Sequence, residues 1–164
     1  MKKIFHQLLA VCMMLVMSSA TPAFAETAKA APSSAAAVEE NTFEQEVFGL
    51  VNAERAKANL PTLAKKTVLI QDARVRAYEA SIRFEHTRPD GSNWWELDPA
   101  NMYSECLCVR YPGYGTPQGV VEAWMRSGTH RECLLRADIT TMGIGGYIDS
   151  KGNVYVTFEG GFSD

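Results

Sequence analysis

Met142-Gly143-Ile144-Gly145-Gly146-Tyr147-Ile148-Asp149-Ser150-Lys151-Gly152-Asn153-Val154-Tyr155-Val156-Thr157-Phe158 is the stretch that decides the architecture. Met142 to Ile148 and Asn153 to Phe158 are strand-like runs, and Asp149-Ser150-Lys151-Gly152 between them supplies the turn residues of a hairpin. Glycines at 143, 145 and 146 predict that another backbone or a bulky ring packs closely against the first run. Helical segments dominate the chain ahead of this hairpin. Helices first and an antiparallel sheet last argue for layered α+β rather than a doubly wound parallel sheet.

Working back from the hairpin, Thr116-Pro117 predicts a helix start, with threonine as N-cap and proline at the first helical position. Val120, Val121, Trp124 and Met125 give that helix an apolar side, and Ser127-Gly128 interrupts it before a short turn from about His130 to Leu135. Pro89-Asp90-Gly91 is a turn, because proline fixes φ and glycine permits positive φ. A helix from about Thr67 to Arg83 places Leu69, Ile70, Ala73, Ala77 and Ala80 along one side. Its small residues allow close approach to a neighbour, while Arg74, Arg76 and Glu79 suit a solvated edge. The first helix opens at Thr42-Phe43-Glu44-Gln45, which has capping-box spacing, and runs through Phe43, Val47, Leu50, Val51 and Ala58 until Asn59 and Pro61 stop it.

The N-terminus reads as an export leader over residues 1–25: Lys2 and Lys3 are followed by an apolar stretch from about Leu8 to Met17 and the small-residue pattern Ala23-Phe24-Ala25. That stretch is too short for a permanent membrane span, so the expected product is secreted, with no transmembrane anchor. Residues 26–40, rich in Ala, Ser, Pro, Thr and Glu, read as a flexible linker that cannot bury enough surface to offset ordering entropy. Residues 41–164 have the length of one domain. The 164-residue chain carries 16 basic and 19 acidic residues, a net charge of -3. Without Lys2 and Lys3 the balance is about -5, which argues against nucleic acid or an anionic membrane surface as the main partner.

The chain has three histidines. With His6 in the leader, His86 and His130 remain, each in a short polar motif near a glutamate, and imidazole is the side chain best suited to metal ligation or proton exchange near neutral pH. His86, Glu105, Glu122 and His130 form one candidate site. Imidazole nitrogen and carboxylate oxygen are zinc ligands, and a catalytic zinc keeps one position for water. The spacing is unlike His-Glu-x-x-His, so these ligands would be assembled from a loop, a strand and two helical segments. Each residue also has an ordinary explanation. Glu122 and Arg126 are four apart on a helix and suit a surface ion pair, His86 can close the preceding helix, His130 can cap the short turn, and Glu105 can accept backbone N–H bonds. Trp94, Trp95, Tyr103, Tyr111 and Tyr114 flank the site and are read as core or rim packing rather than ligand-facing walls.

Several motifs in order carry a family resemblance: Leu50-Val51-Asn52-Ala53-Glu54-Arg55, Phe84-Glu85-His86-Thr87-Arg88-Pro89-Asp90-Gly91, Tyr103-Ser104-Glu105, Val121-Glu122-Ala123-Trp124-Met125-Arg126-Ser127 with His130-Arg131, and Met142-Gly143-Ile144-Gly145-Gly146. Together they resemble the CAP superfamily of cysteine-rich secretory, antigen 5 and pathogenesis-related proteins, also called the SCP domain, in its bacterial secreted form. The resemblance implies an α/β/α sandwich with a small antiparallel sheet between helical layers. It also implies a cleft whose two His and two Glu fall on His86, Glu105, Glu122 and His130, able to hold zinc or another divalent cation. The chain departs from the family pattern at Ser104-Glu105-Cys106 (Gly-Glu-Asn in the family), at Ser127-Gly128-Thr129-His130 (Ser-Pro-Gly-His), at Cys133 (asparagine) and at Phe158-Glu159, where a glutamine-containing aromatic segment is common.

The cysteines follow from this placement. Cys106, Cys108 and Cys133 cannot all pair within one molecule. Cys106 and Cys108 share a face if their segment is a strand, so either reaches Cys133. The resemblance favours Cys106 with Cys133, each standing where the family has an asparagine beside a site residue, and leaves one thiol for a dimer or a metal. Two function classes follow. One is a secreted protein that binds a lipid, peptide or protein partner through the cleft. The other is a metal-dependent, peptidase-like hydrolase with Glu105 or Glu122 as general base.

Overall fold

In the computed structural model the described residues are 42–163, so the expected leader and linker lie outside them. Helices α1 (Thr42–Lys57), α2 (Thr67–Ile82), α3 (Pro117–Arg126) and α4 (Gly128–Leu134) accompany strands β1 (Ala64–Lys65), β2 (Ser104–Arg110), β3 (Thr141–Ile148) and β4 (Val154–Gly161). One sheet of order β1-β3-β4-β2 results. The hairpin pairs Thr141 with Gly161 through Ile148 with Val154, and β4 pairs antiparallel with β2 on its other side. The two-residue β1 runs parallel to β3, adding a parallel edge to the antiparallel sheet that the resemblance implies.

Alternation along the strands splits the sheet into two faces. Met142, Ile144, Cys106, Cys108, Val156 and Phe158 point to a core shared with Val47 and Val51 of α1 and with Val120, Val121 and Trp124 of α3. The Trp124 ring is buried, and its indole N–H donates to the Leu107 carbonyl at 3.1 Å. On the other face α2 lies on β3 and β4. A Cβ on Gly143 would sit 2.1 Å from the Leu69 carbonyl carbon, and one on Gly145 would sit 2.2 Å from that of Ala73. Backbone against backbone is the close packing that the glycine pattern predicts.

The local signals act where they are written. Thr116 Oγ1 accepts from the Gly119 N–H at 3.1 Å, with Pro117 opening α3. Gly91 takes φ 91° and donates to the Arg88 carbonyl, and Asn59 ends α1 at φ 56°. The short turn expected at His130 is longer, a seven-residue helix beginning at Gly128.

Leu69, Ile70, Ala73, Ala77 and Ala80 of α2 are buried as expected, but the expected solvated edge is not: Arg76 is buried with them, and Arg74 and Glu79 are partly buried in ion pairs. Arg76 lies seven residues from Leu69 and three from Ala73, on the face that meets the sheet, and an ionic partner there offsets its desolvation.

Candidate functional site

Arg76 reaches that partner on the same face of the sheet, on the edge strand β2. Its Nε donates to Glu105 Oε2 at 2.6 Å and its Nη2 to Oε1 at 3.2 Å, with both side chains fully buried. Arg76 Nη1 donates to Glu79 at 2.7 Å and its Nη2 to the Glu85 carbonyl at 3.0 Å, which ties the loop after α2 to the helix. Arg88 binds the other side of Glu79, extending the network to the Pro89-Asp90-Gly91 turn.

That loop delivers His86. Its Nδ1 lies 2.7 Å from Glu105 Oε1, while more than half of its side chain remains exposed. The carboxylate fixes the tautomer: Nδ1 carries the proton and Nε2 is left for a ligand. The hydrogen bond to Glu105, reinforced by its charge, raises the His86 pKa despite burial. Burial alone would raise the Glu105 carboxyl, but hydrogen bonds from His86 and Arg76 hold it below the ordinary carboxylate range.

His130 lies on α4, and its pKa is lowered by burial and then by the charge of His86. The metal-free protein is therefore expected to show, in an NMR titration, His86 titrating above and His130 below the unperturbed value of 6.5. In linkage terms the His86–Glu105 bond contributes stability below the unfolded pKa of about 6.5 and loses it as pH rises through the raised folded value. Coincident midpoints would contradict the pairing.

Glu122 sits apart in its bonding. Its carboxylate accepts from Arg126 at 2.9 Å and from Gln118 at 3.4 Å, both on α3, and about half of its side chain is exposed. This is the ordinary i,i+4 pair, worth about 0.2–0.5 kcal/mol. Among the described residues no group of three or more His, Cys, Asp or Glu side chains converges as a metal cage.

Beside this network lies an open cleft of about 360 Å³, with Trp94, Tyr103, Glu105, Cys133 and Arg136 in its walls; of the four candidate residues only Glu105 lines it. Arg136 stacks over the Tyr103 ring at 4.9 Å, and Tyr103 packs on Phe162. Tyr103 is half exposed, so with Trp94 it is a cleft wall rather than core packing, whereas Tyr111 and Tyr114 are exposed on the β2–α3 loop. A larger hollow of about 590 Å³ lies between α1 and the start of α3 and includes none of the four candidate residues.

One feature of the site was not read from the sequence as such. Glu159 pairs in register with Glu105 on β2 and Gly143 on β3 and is fully buried. Burial first, and the Glu105 charge second, push its pKa well above the ordinary range, which favours the neutral acid. On α4, Cys133 Sγ lies 2.6 Å from Cys106 Sγ and 2.9 Å from Ser104 Oγ. The expected Cys106–Cys133 pair is thus brought together but not bonded: Cys106, Cys108 and Cys133 are free thiols in this structure.

A mixed sheet covered by helices on both faces, with an imidazole held by a buried carboxylate at the cleft, defines the class: a layered α+β domain of the SCP type. The family model described as "CAP: Cysteine-rich secretory protein family" matches residues 48–159, and the chain belongs to that family. It is 32% identical over 144 residues to the uncharacterized protein YkwD of Bacillus subtilis (strain 168), a match that takes in 81% of this chain but only 52% of that relative, so the chain spans about half its length. Among solved structures it resembles an SCP-domain extracellular protein from Bacillus anthracis str. Ames, at TM-score 0.61, 22% identity, and coverage of 76% of this chain and 41% of that one. It also resembles an outer surface protein from Borrelia burgdorferi, at TM-score 0.60, 20% identity, and coverage of 73% of this chain and 92% of that one. At these identities the likeness is one of fold. No helix among the described residues is long and apolar enough to cross a membrane.

Proposed function

We propose that this CAP domain is exported and acts by binding a ligand in the cleft between Trp94, Tyr103 and α4, not by hydrolysing it. The state of the two candidate bases carries this reading. Both Glu105 oxygens are taken by Arg76 and His86 in a buried network, and its pKa is depressed, so it is a poor acceptor for a proton from water. Glu122 is ion-paired on the surface of its own helix. The walls mix the aromatic faces of Trp94 and Tyr103 with charged Glu132 and Arg136, which suits a peptide or protein segment better than an acyl chain.

A divalent ion such as zinc would be an accessory here, held by two imidazoles and water, since no group of three or more protein ligands converges among the described residues. His86 through Nε2 and the His130 imidazole would hold it, with Glu105 orienting His86 from behind. Glu105 itself is ill suited to direct ligation because the Arg76 guanidinium already neutralises it. A bound ion would supply a fixed positive charge for an anionic or carbonyl group of the ligand.

Calorimetric titration of zinc into the full chain tests the metal, with uptake expected in the wild type and lost in the His86→Ala/His130→Ala double variant. A wild type that takes up no divalent ion removes the metal from the proposal. Zinc-dependent cleavage of a peptide library that the double variant loses would overturn binding in favour of hydrolysis.

A further inference from the structure

We propose that Cys133 and Cys106 form a thiol–disulfide exchange site in the cleft wall, with a disulfide-bonded molecule as the substrate. This goes beyond the binding reading and does not depend on it. The two sulfurs are stacked from outside to inside: Cys133 is partly exposed and lines the cleft, whereas Cys106 lies behind it at 0% exposure. Their sulfurs are in direct contact at 2.6 Å, so neither side chain has to cross the cleft to meet the other. An outer thiol that meets the substrate, with a second thiol directly beneath it, is the arrangement that attack and resolution require. The Ser104 hydroxyl, 2.9 Å from the Cys133 sulfur, is placed to donate to it as negative charge develops there. Cys108 is also buried, but its sulfur contacts the Val109 carbonyl, so it is an internal control outside the pair.

The chemistry balances in two steps. The Cys133 sulfur attacks one sulfur of R–S–S–R; a Cys133–S–R bond forms, the substrate bond breaks, and the first RS⁻ leaves and takes up the proton lost from Cys133. The Cys106 sulfur then attacks Cys133; the Cys106–Cys133 bond forms, the mixed disulfide breaks, and the second RS⁻ leaves with the proton lost from Cys106. The protein dithiol is oxidised by two electrons and the substrate disulfide is reduced to two thiols. The product bond fastens α4, which carries His130, to β2, which carries Glu105.

Oxidised glutathione is the probe. The full chain is reduced, freed of reductant, exposed to it, alkylated with iodoacetamide and read by peptide mass spectrometry. The wild type is expected to end with Cys106 linked to Cys133 and Cys108 alkylated, and excess reduced glutathione reopens the link. Cys106→Ser is expected to stall with glutathione on Cys133, formed at least about 10-fold faster than on Cys108. Three alkylated thiols in the wild type would overturn the proposal without recourse to a variant. A Cys106–Cys133 link that reduced glutathione cannot reopen, or an adduct in Cys106→Ser that prefers Cys108, would overturn it equally, the former showing a permanent brace instead.

Discussion

Gly143→Ala is expected to lower stability by at least about 3 kcal/mol, a large share of the roughly 5–15 kcal/mol that holds an ordinary domain folded. The added methyl would fall 2.1 Å from the Leu69 carbonyl carbon and 2.3 Å from the Ile70 nitrogen. Both are helix backbone, so no rotamer change relieves the clash, and α2 must lift from the sheet with the apolar face it buries. The control lies three residues on. At Gly146 the nearest neighbour to an added Cβ is a Glu44 carboxylate oxygen at 3.9 Å, an ordinary contact, so Gly146→Ala is expected to cost less than about 1 kcal/mol. Urea unfolding of the two variants makes the comparison, and equal midpoints would refute the close helix–sheet contact.

The second large effect is at Arg76. Arg76→Met removes the cation from a fully buried pair while keeping much of the volume, and the Glu105 carboxylate it strands is expected to cost about 3–5 kcal/mol. Arg76→Met/Glu105→Gln should recover a good part of that, because the uncompensated charge is the main penalty. The pH dependence gives an independent sign. Glu105 has a depressed folded pKa in the wild type, so its contribution is present above the unfolded value of about 4.5 and is lost as pH falls through the folded one. Without Arg76 the folded pKa rises, and the stability gap between variant and wild type should narrow as pH falls from the variant's raised folded pKa towards the wild type's depressed one. A gap that is flat with pH would mean that Arg76 acts by packing alone. His86 reports the same event, since a displaced Glu105 no longer holds its Nδ1.

These two residues also mark how far the fold and site were legible. Thr116-Pro117, the Pro89-Asp90-Gly91 turn and the hairpin around Asp149 to Gly152 are local devices whose donors and acceptors lie within a few residues, so the letters suffice. The glycines of β3 forecast a close neighbour but not which one. Arg76 is misplaced by its charge, which outweighs its spacing; positions 69, 73, 76 and 80 form one stripe, and the partner that makes burial tolerable is 29 residues away. The two-residue β1 is too short to carry any periodicity. At the site, the motif order names His86 and Glu105, which meet directly. The surface reading of Glu122 with Arg126 is the bonding it has, and the burial of Glu159 opposite Glu105 depends on a strand register that no local pattern encodes.

The close seat of α2 on the sheet has a further consequence. Gly143 and Gly145 set the height of the helix, that height brings Arg76 to Glu105, and Glu105 holds the imidazole. The Glu105 side of the cleft is thus mounted on main chain, while α4 opposite is pinned by the buried Leu134 and by Arg55, whose Nη1 donates to the Leu134 and Arg136 carbonyls. Exposed wall residues such as Glu132 can therefore be exchanged to alter what the cleft grips without disturbing either mount.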